Sequence, residues 1–183
     1  PPKPPFATGG GGGVGSGPDG SNIAGEGTII LELLEELQTF TFTDIDEEPV
    51  PSILRGFSAP VKVKLDLTDD ERLFLMAHDA DAFNRWDAGQ QLAVKLILEL
   101  VKDYQAGRPL ALDNLFVDAF RNILESDMAD KLFQAFALSL PGETYLADFL
   151  ETIAPEAIYE ARTFVQQTLA AALKQGFLAV YRK

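Results

Sequence analysis

The 183 residues contain no cysteine. That absence excludes a disulfide framework, a thiolate metal site and a cysteine nucleophile together, and it fits a reducing compartment such as the cytoplasm. Histidine occurs once, as His78. A catalytic zinc takes three protein ligands, and the helical zincin pattern sets two histidines four residues apart, so this chain cannot build that pattern. Basic residues are scarce, 15 against 28 acidic, for a formal net charge of −13. No Lys/Arg-rich run supplies the footprint that a phosphate backbone requires, so nucleic acid is not an expected partner. An anionic membrane surface would likewise repel the chain. No apolar run approaches the ~18 residues of a spanning helix, and no basic-then-apolar signal segment opens the sequence.

What is present suffices for a core: 46% of the residues are hydrophobic, within the ordinary globular range. The length allows one domain or two small ones. Residues 1–27, "PPKPPFATGGGGGVGSGPDGSNIAGEG", begin without a methionine, as an internal fragment does. Their Pro- and Gly-rich composition offers too little apolar surface to offset ordering entropy, which predicts a flexible tract. The glycines do not make a nucleotide loop, because no Lys-Ser/Thr pair follows and no strand precedes them.

Residues 28–67 carry a β pattern. "QTFTFT" sets Phe40 and Phe42 opposite Thr39, Thr41 and Thr43, and "VKVKLDL" sets Val61, Val63, Leu65 and Leu67 opposite Lys62, Lys64 and Asp66. "TIILELLEEL" satisfies two periods. Ile29, Leu31 and Leu33 alternate, yet Ile30, Leu33, Leu34 and Leu37 form a helical stripe and Leu and Glu favour helix. The short gap to "QTFTFT" suits a hairpin, which favours a strand.

From residue 68 the period becomes helical. Thr68 and Glu71 in "TDDE" form a capping box that opens a helix expected to run to about Phe83. A second is expected from about Asn84, with Ala93, Leu96, Ile97, Leu100, Val101 and Tyr104 on one face, stopped by Gly107 and Pro109. "LDNLFVDAFRNILES", "MADKLFQAFAL" and "GETYLADFLET" predict three more. The last starts at Pro155, a residue suited to a first helical turn, with Ile158, Val165, Leu169, Leu173 and Val180 on one side. Gly176 inside it costs about 1 kcal/mol relative to alanine. The fold class expected is mainly α with a small β part: a few antiparallel strands of a partial β-sandwich over 28–67, then an array of about six α-helices over 68–183.

Candidate sites are few. His78 has Glu71, Asp79 and Asp81 near it in sequence, but position 82 is alanine and only carboxylates could complete a metal site. The plainer expectation is a polar residue at a helix edge. No Gly-x-Ser-x-Gly elbow occurs, and Ser52 and Ser58 lie in a proline-rich connector. Arg85, Trp86 and Asp87 form a more particular cluster, in which the arginine could join a buried ion pair or stack on an aromatic face. Trp86 is expected in the core.

Three stretches, "PVPSILRGFSAPVKV", "FNRWDAGQQLA" and "LSLPGETYLADFLETIAPEAIYEAR", resemble the bacterial-type aminopeptidase N (alanyl aminopeptidase) family of zinc metallopeptidases, in order and in spacing. The resemblance runs from about Thr28 to Lys183 and implies the last strands of a β-sandwich domain followed by the opening of a helical C-terminal domain. It also implies a strand for "TIILELLEEL". Two features depart from the family pattern: the Gly-rich tract, and Ala154 where an aspartate commonly caps the helix, a loss of about 1 kcal/mol. The family's H-E-x-x-H helix and G-x-M-E-N strand are absent, so no catalytic, cofactor-binding or metal-binding residue is assigned to any position. The role implied is that of a non-catalytic segment helping to shape the substrate chamber of an enzyme that removes N-terminal amino acids from peptides. Zinc then belongs to the parent protein and not to this segment, and the partners are the remainder of the same polypeptide and, for the parent, peptide substrates. An alternative from another class is a self-contained acidic helical interaction module without enzymatic activity. Its strand edges would be buried and its last helix capped, whereas "FLAVYRK" carries no stop signal, which favours truncation.

Overall fold

A computed structural model describes residues 28–43, 45, 48–126 and 130–182. The tract expected to be flexible, 1–27, lies outside the described residues. The chain divides into two units, Pro1–Arg55 and Gly56–Lys183.

In the first unit the described backbone is extended or bent, and Ile29 makes an isolated bridge. The strand expected over "QTFTFT" is not formed among its described residues, and Ile30, Leu33, Leu34, Leu37 and Phe42 are exposed. Nor is "VKVKLDL", in the second unit, a regular strand, and Val61, Val63 and Leu65 are exposed. An alternating pattern specifies which face is to be buried, but a ladder of two or three strands is marginal without a covering layer. A 3-10 turn, Arg55–Phe57, follows the proline-rich connector. Leu54 (φ 56°), Gly56 (φ 61°) and Phe57 (φ 56°) lie in the left-handed region. Two non-glycine residues there cost of order 1–3 kcal/mol each.

The second unit holds six helices among its described residues. α1 (Asp69–His78) starts at the capping box: Glu71 N–H donates to the Thr68 hydroxyl at 3.3 Å and Thr68 N–H to the Glu71 carboxylate at 2.6 Å. It stops at His78, not at Phe83 as its periodicity predicts. Asp79 leaves the helix (φ −58°, ψ 136°), and its Oδ1 accepts from the Asp81 N–H at 2.8 Å. Asp81 in turn caps α2 (Ala82–Gln105) by accepting from Asn84 N–H at 3.0 Å. Aspartates that bond nearby backbone compete with the helix, and here two of them turn the chain while the apolar stripe runs on.

α2 spans 24 residues, about 36 Å, and packs against α1, α4 and α6. Its buried stripe includes Leu92, Ala93, Ile97, Leu100 and Val101. α3 (Asn114–Glu125) follows a cap at Asp113 and buries Phe116, Phe120, Ile123 and Leu124. α4 (Lys131–Ala137) and α5 (Glu143–Ala147) are short. α6 (Pro155–Tyr181) packs on α2, α3 and α5 through Ile158, Ala161, Val165, Leu169 and Leu173, spaced by three and four residues. Val180, expected on the same face, is 38% exposed, because burial of the stripe ends at Leu173. Gly176 has a packing role: a Cβ there would lie 2.9 Å from Leu124 Cδ2 on α3. As expected, Ala154 supplies no side-chain cap to α6.

Candidate functional site

The turn between α1 and α2 gathers residues from two of the quoted stretches. Gly56 N–H donates to Asp81 Oδ2 at 3.0 Å, so the carboxylate that caps α2 also holds the 3-10 turn. The ring of Phe57 meets Phe83 at 4.6 Å, and Phe83 meets Trp86 at 5.5 Å. Beneath them Arg85 donates from Nη2 to the Ala77 carbonyl at 3.3 Å and from Nε to the Met76 carbonyl at 3.5 Å. A cation at these orphan carbonyls caps α1 and complements its dipole. Burial lowers the Arg85 pKa, and the Asp79 carboxylate beside it opposes that shift. Asp79 is 1% exposed.

The structure therefore chooses between the two roles open to Arg85. It works with a buried carboxylate and two helix-end carbonyls. Asp87 does not join it, and instead accepts from Gln91 Nε2 at 2.7 Å one turn on. Trp86 is half-buried, and its Nε1–H is buried without an acceptor among the described residues.

His78 stands apart from this cluster. It is exposed, and its ring rests 5.1 Å from that of Phe74. Among the described residues no group of three or more His, Asp or Glu side chains could hold a metal ion. One exposed histidine on an aromatic ring does not fit a catalytic zinc. Ser58 is exposed, Ser52 half-buried. Among the described residues no helix is long and apolar enough to cross a membrane.

A second set of contacts had no signal beyond motif membership. Gln90 Nε2 donates to the Ser139 carbonyl at 2.8 Å, and Arg162 Nε donates to the Pro141 carbonyl at 2.8 Å. The loop between α4 and α5 is thus held from α2 on one side and α6 on the other. Buried Gln134 of α4 donates to the carbonyls of Ile123, Leu124 and Ser126 at 2.7, 3.1 and 3.0 Å, closing the C-terminus of α3. Every one of these side chains positions a helix or a loop.

Six helices that pack mainly on the two long ones, α2 and α6, with loops and helix ends tied by side chains from other helices, form a helical scaffold. Residues 69–183 match the family described as "Domain of unknown function (DUF3458_C) ARM repeats", and residues 15–66 match "Domain of unknown function (DUF3458) Ig-like fold". The chain belongs to the first of these families, and it is homologous to the helical C-terminal region of aminopeptidase N. Aminopeptidase N of Escherichia coli is 38% identical over 152 residues, 83% of this chain and 18% of that protein. Aminopeptidase N of Caulobacter vibrioides is 38% identical over 154 residues, 81% of this chain and 17% of that protein. The crystal structure of Legionella pneumophila aminopeptidase A in complex with aspartic acid superimposes with a TM-score of 0.62 at 30% identity, covering 75% of this chain and 16% of that one. The chain therefore spans less than a fifth of the length of these relatives.

Proposed function

We propose that the chain is a non-catalytic segment of a zinc-dependent aminopeptidase that removes N-terminal amino acids from peptides in the cytoplasm. The observation that carries this reading is the 38% identity to aminopeptidase N over 152 residues, with the relatives several times longer. In this reading residues 28–67 end a β-sandwich domain and residues 68–183 open a helical one. The helices help to wall the chamber that admits peptide substrates. Zinc and the reacting groups reside in the remainder of the same polypeptide. The set of side chains that cap helix ends and tie loops, Arg85, Gln90, Gln134 and Arg162, supports a scaffold role.

The test is the native polypeptide carrying "PVPSILRGFSAPV", isolated from its source cells and measured by intact mass and alanyl p-nitroanilide hydrolysis. Expected is a much longer chain that contains an H-E-x-x-H helix and loses activity to a chelator, while the 183 residues alone turn over no substrate. A native chain ending near the present boundaries, or turnover by the 183 residues, overturns the reading.

A further inference from the structure

Arg72 of α1, Gln91, Val94 and Lys95 of α2, and Tyr145 and Phe149 at and just beyond α5 line a depression of about 260 Å³. Tyr145 and Phe149 pack edge to face, with ring centroids 5.1 Å apart at 87°, and each is 52% exposed. Two cations meet one carboxylate here. Lys95 Nζ lies 2.5 Å from Asp69 Oδ2, and Arg72 Nη1 lies 3.7 Å from Asp69 Oδ1. The Arg72 guanidinium is held in place by donation to the Leu67 carbonyl and to Gln91 Oε1, the latter at 3.5 Å. Asp87 accepts from the Gln91 amide at 2.7 Å, and Glu99 stands one turn beyond Lys95 on α2. Two cations and two aromatic rings meet in this hollow on a chain of net charge −13.

We propose that this depression binds a small organic carboxylate with an aromatic or aliphatic body. The carboxylate sits on Lys95 and Arg72, displacing Asp69, and the body lies over Val94 against the rings of Tyr145 and Phe149. Charge-assisted bonds to two cations supply orientation, and exposed aromatic faces supply apolar contact. The hollow falls just below the roughly 300 Å³ at which drug-sized pockets begin, so its occupant is the size of a fragment and binds with a Kd of about 1 mM. The proposal does not rest on the peptidase reading.

The probe is 3-phenylpropionate, titrated into the ¹⁵N-labelled chain and followed by chemical-shift changes. Saturable shifts are expected at the Gln91 side-chain amide, at backbone amides 91–95 and at 145–149. The neutral 3-phenylpropionamide is expected to bind at least ~10-fold more weakly. Two variants separate recognition from stability, because Lys95→Gln and Asp69→Asn both remove the same ion pair between half-exposed side chains. Loss of structure from breaking that pair moves affinity in one direction for both. The proposal requires opposite directions: Lys95→Gln weakens binding about fivefold, and Asp69→Asn, which removes the competing carboxylate, tightens it. Equal binding of acid and amide, shifts located elsewhere, no saturation, or variants that move together would each overturn it.

Discussion

Glycine to alanine should stabilise at one interior helical position, Gly89, and fail to do so at another, Gly176. At Gly89 an added Cβ would lie 3.4 Å from Met76 Cγ and Sδ, an ordinary contact with an unbranched side chain. Nothing then opposes the helix-propensity gain, so Gly89→Ala should stabilise by about 0.5–1 kcal/mol. At Gly176 the same atom would lie 2.9 Å from Leu124 Cδ2, and Leu124 is only 3% exposed, so it has little room to withdraw. Overpacking costs about 1–3 kcal/mol, against about 1 kcal/mol of propensity, so Gly176→Ala should be neutral to about 2 kcal/mol destabilising. Urea unfolding of the 183-residue chain, followed by circular dichroism at 222 nm with a shared slope, resolves a difference of this size. A double-mutant cycle locates the cause. In a Leu124→Ala background the obstacle is gone, and alanine at 176 should recover its propensity gain of up to about 1 kcal/mol. If Gly176→Ala stabilises as much as Gly89→Ala, or its penalty survives in Leu124→Ala, the close approach of α3 and α6 is wrong.

Three further outcomes are expected. Ala154→Asp should supply the missing cap of α6 and raise stability by about 0.5–1 kcal/mol, read as a higher urea midpoint. Gln134→Leu should cost about 2 kcal/mol by removing the side-chain donor to the Leu124 and Ser126 carbonyls and one of three donors to that of Ile123, and Gln134→Glu should cost more at pH 7, with the gap narrowing as the new carboxyl protonates. The Glu71 pKa is lowered, first by the Thr68 N–H and then by the Thr68 hydroxyl. Its contribution is therefore complete above the unfolded value near 4.5 and is lost as pH falls through the lower folded value. Unfolding midpoints measured from pH 6 to pH 3 should show a smaller acid loss in Glu71→Gln than in the parent chain.

The helical half of the fold was legible because its signals are local. Thr68 and Glu71 open α1, and Pro155 opens α6, at positions that sequence rules identify. The break at Asp79 was not seen because periodicity reports faces, and the apolar stripe runs through the break into Phe83. The aspartates at 79 and 81 were the available signal, since each can accept a nearby N–H. The meaning of Gly176 was hidden for a different reason. Propensity prices the residue on its own helix, and the deciding atom belongs to Leu124, some fifty residues away in sequence. Arg85, Trp86 and Asp87 were visible as a local cluster with an ion pair or stacking open to the arginine, but the partner Asp79 and the nearby link from Asp81 to Gly56 depend on tertiary geometry. Strand patterning over 28–67 described a face and not the layer that must cover it.

Helices of seven and five residues, such as α4 and α5, are too short to persist by their own hydrogen bonds. They are held by packing on α2, α3 and α6, by Gln134, and by Gln90 and Arg162, which grip the intervening loop from the two long helices. Amide hydrogens of α4 and α5 should therefore exchange with solvent as one cooperative group, ahead of those in the middle of α2 and α6. Removing either grip should accelerate exchange in both short helices at once, which makes this region the first to open in an otherwise closed array.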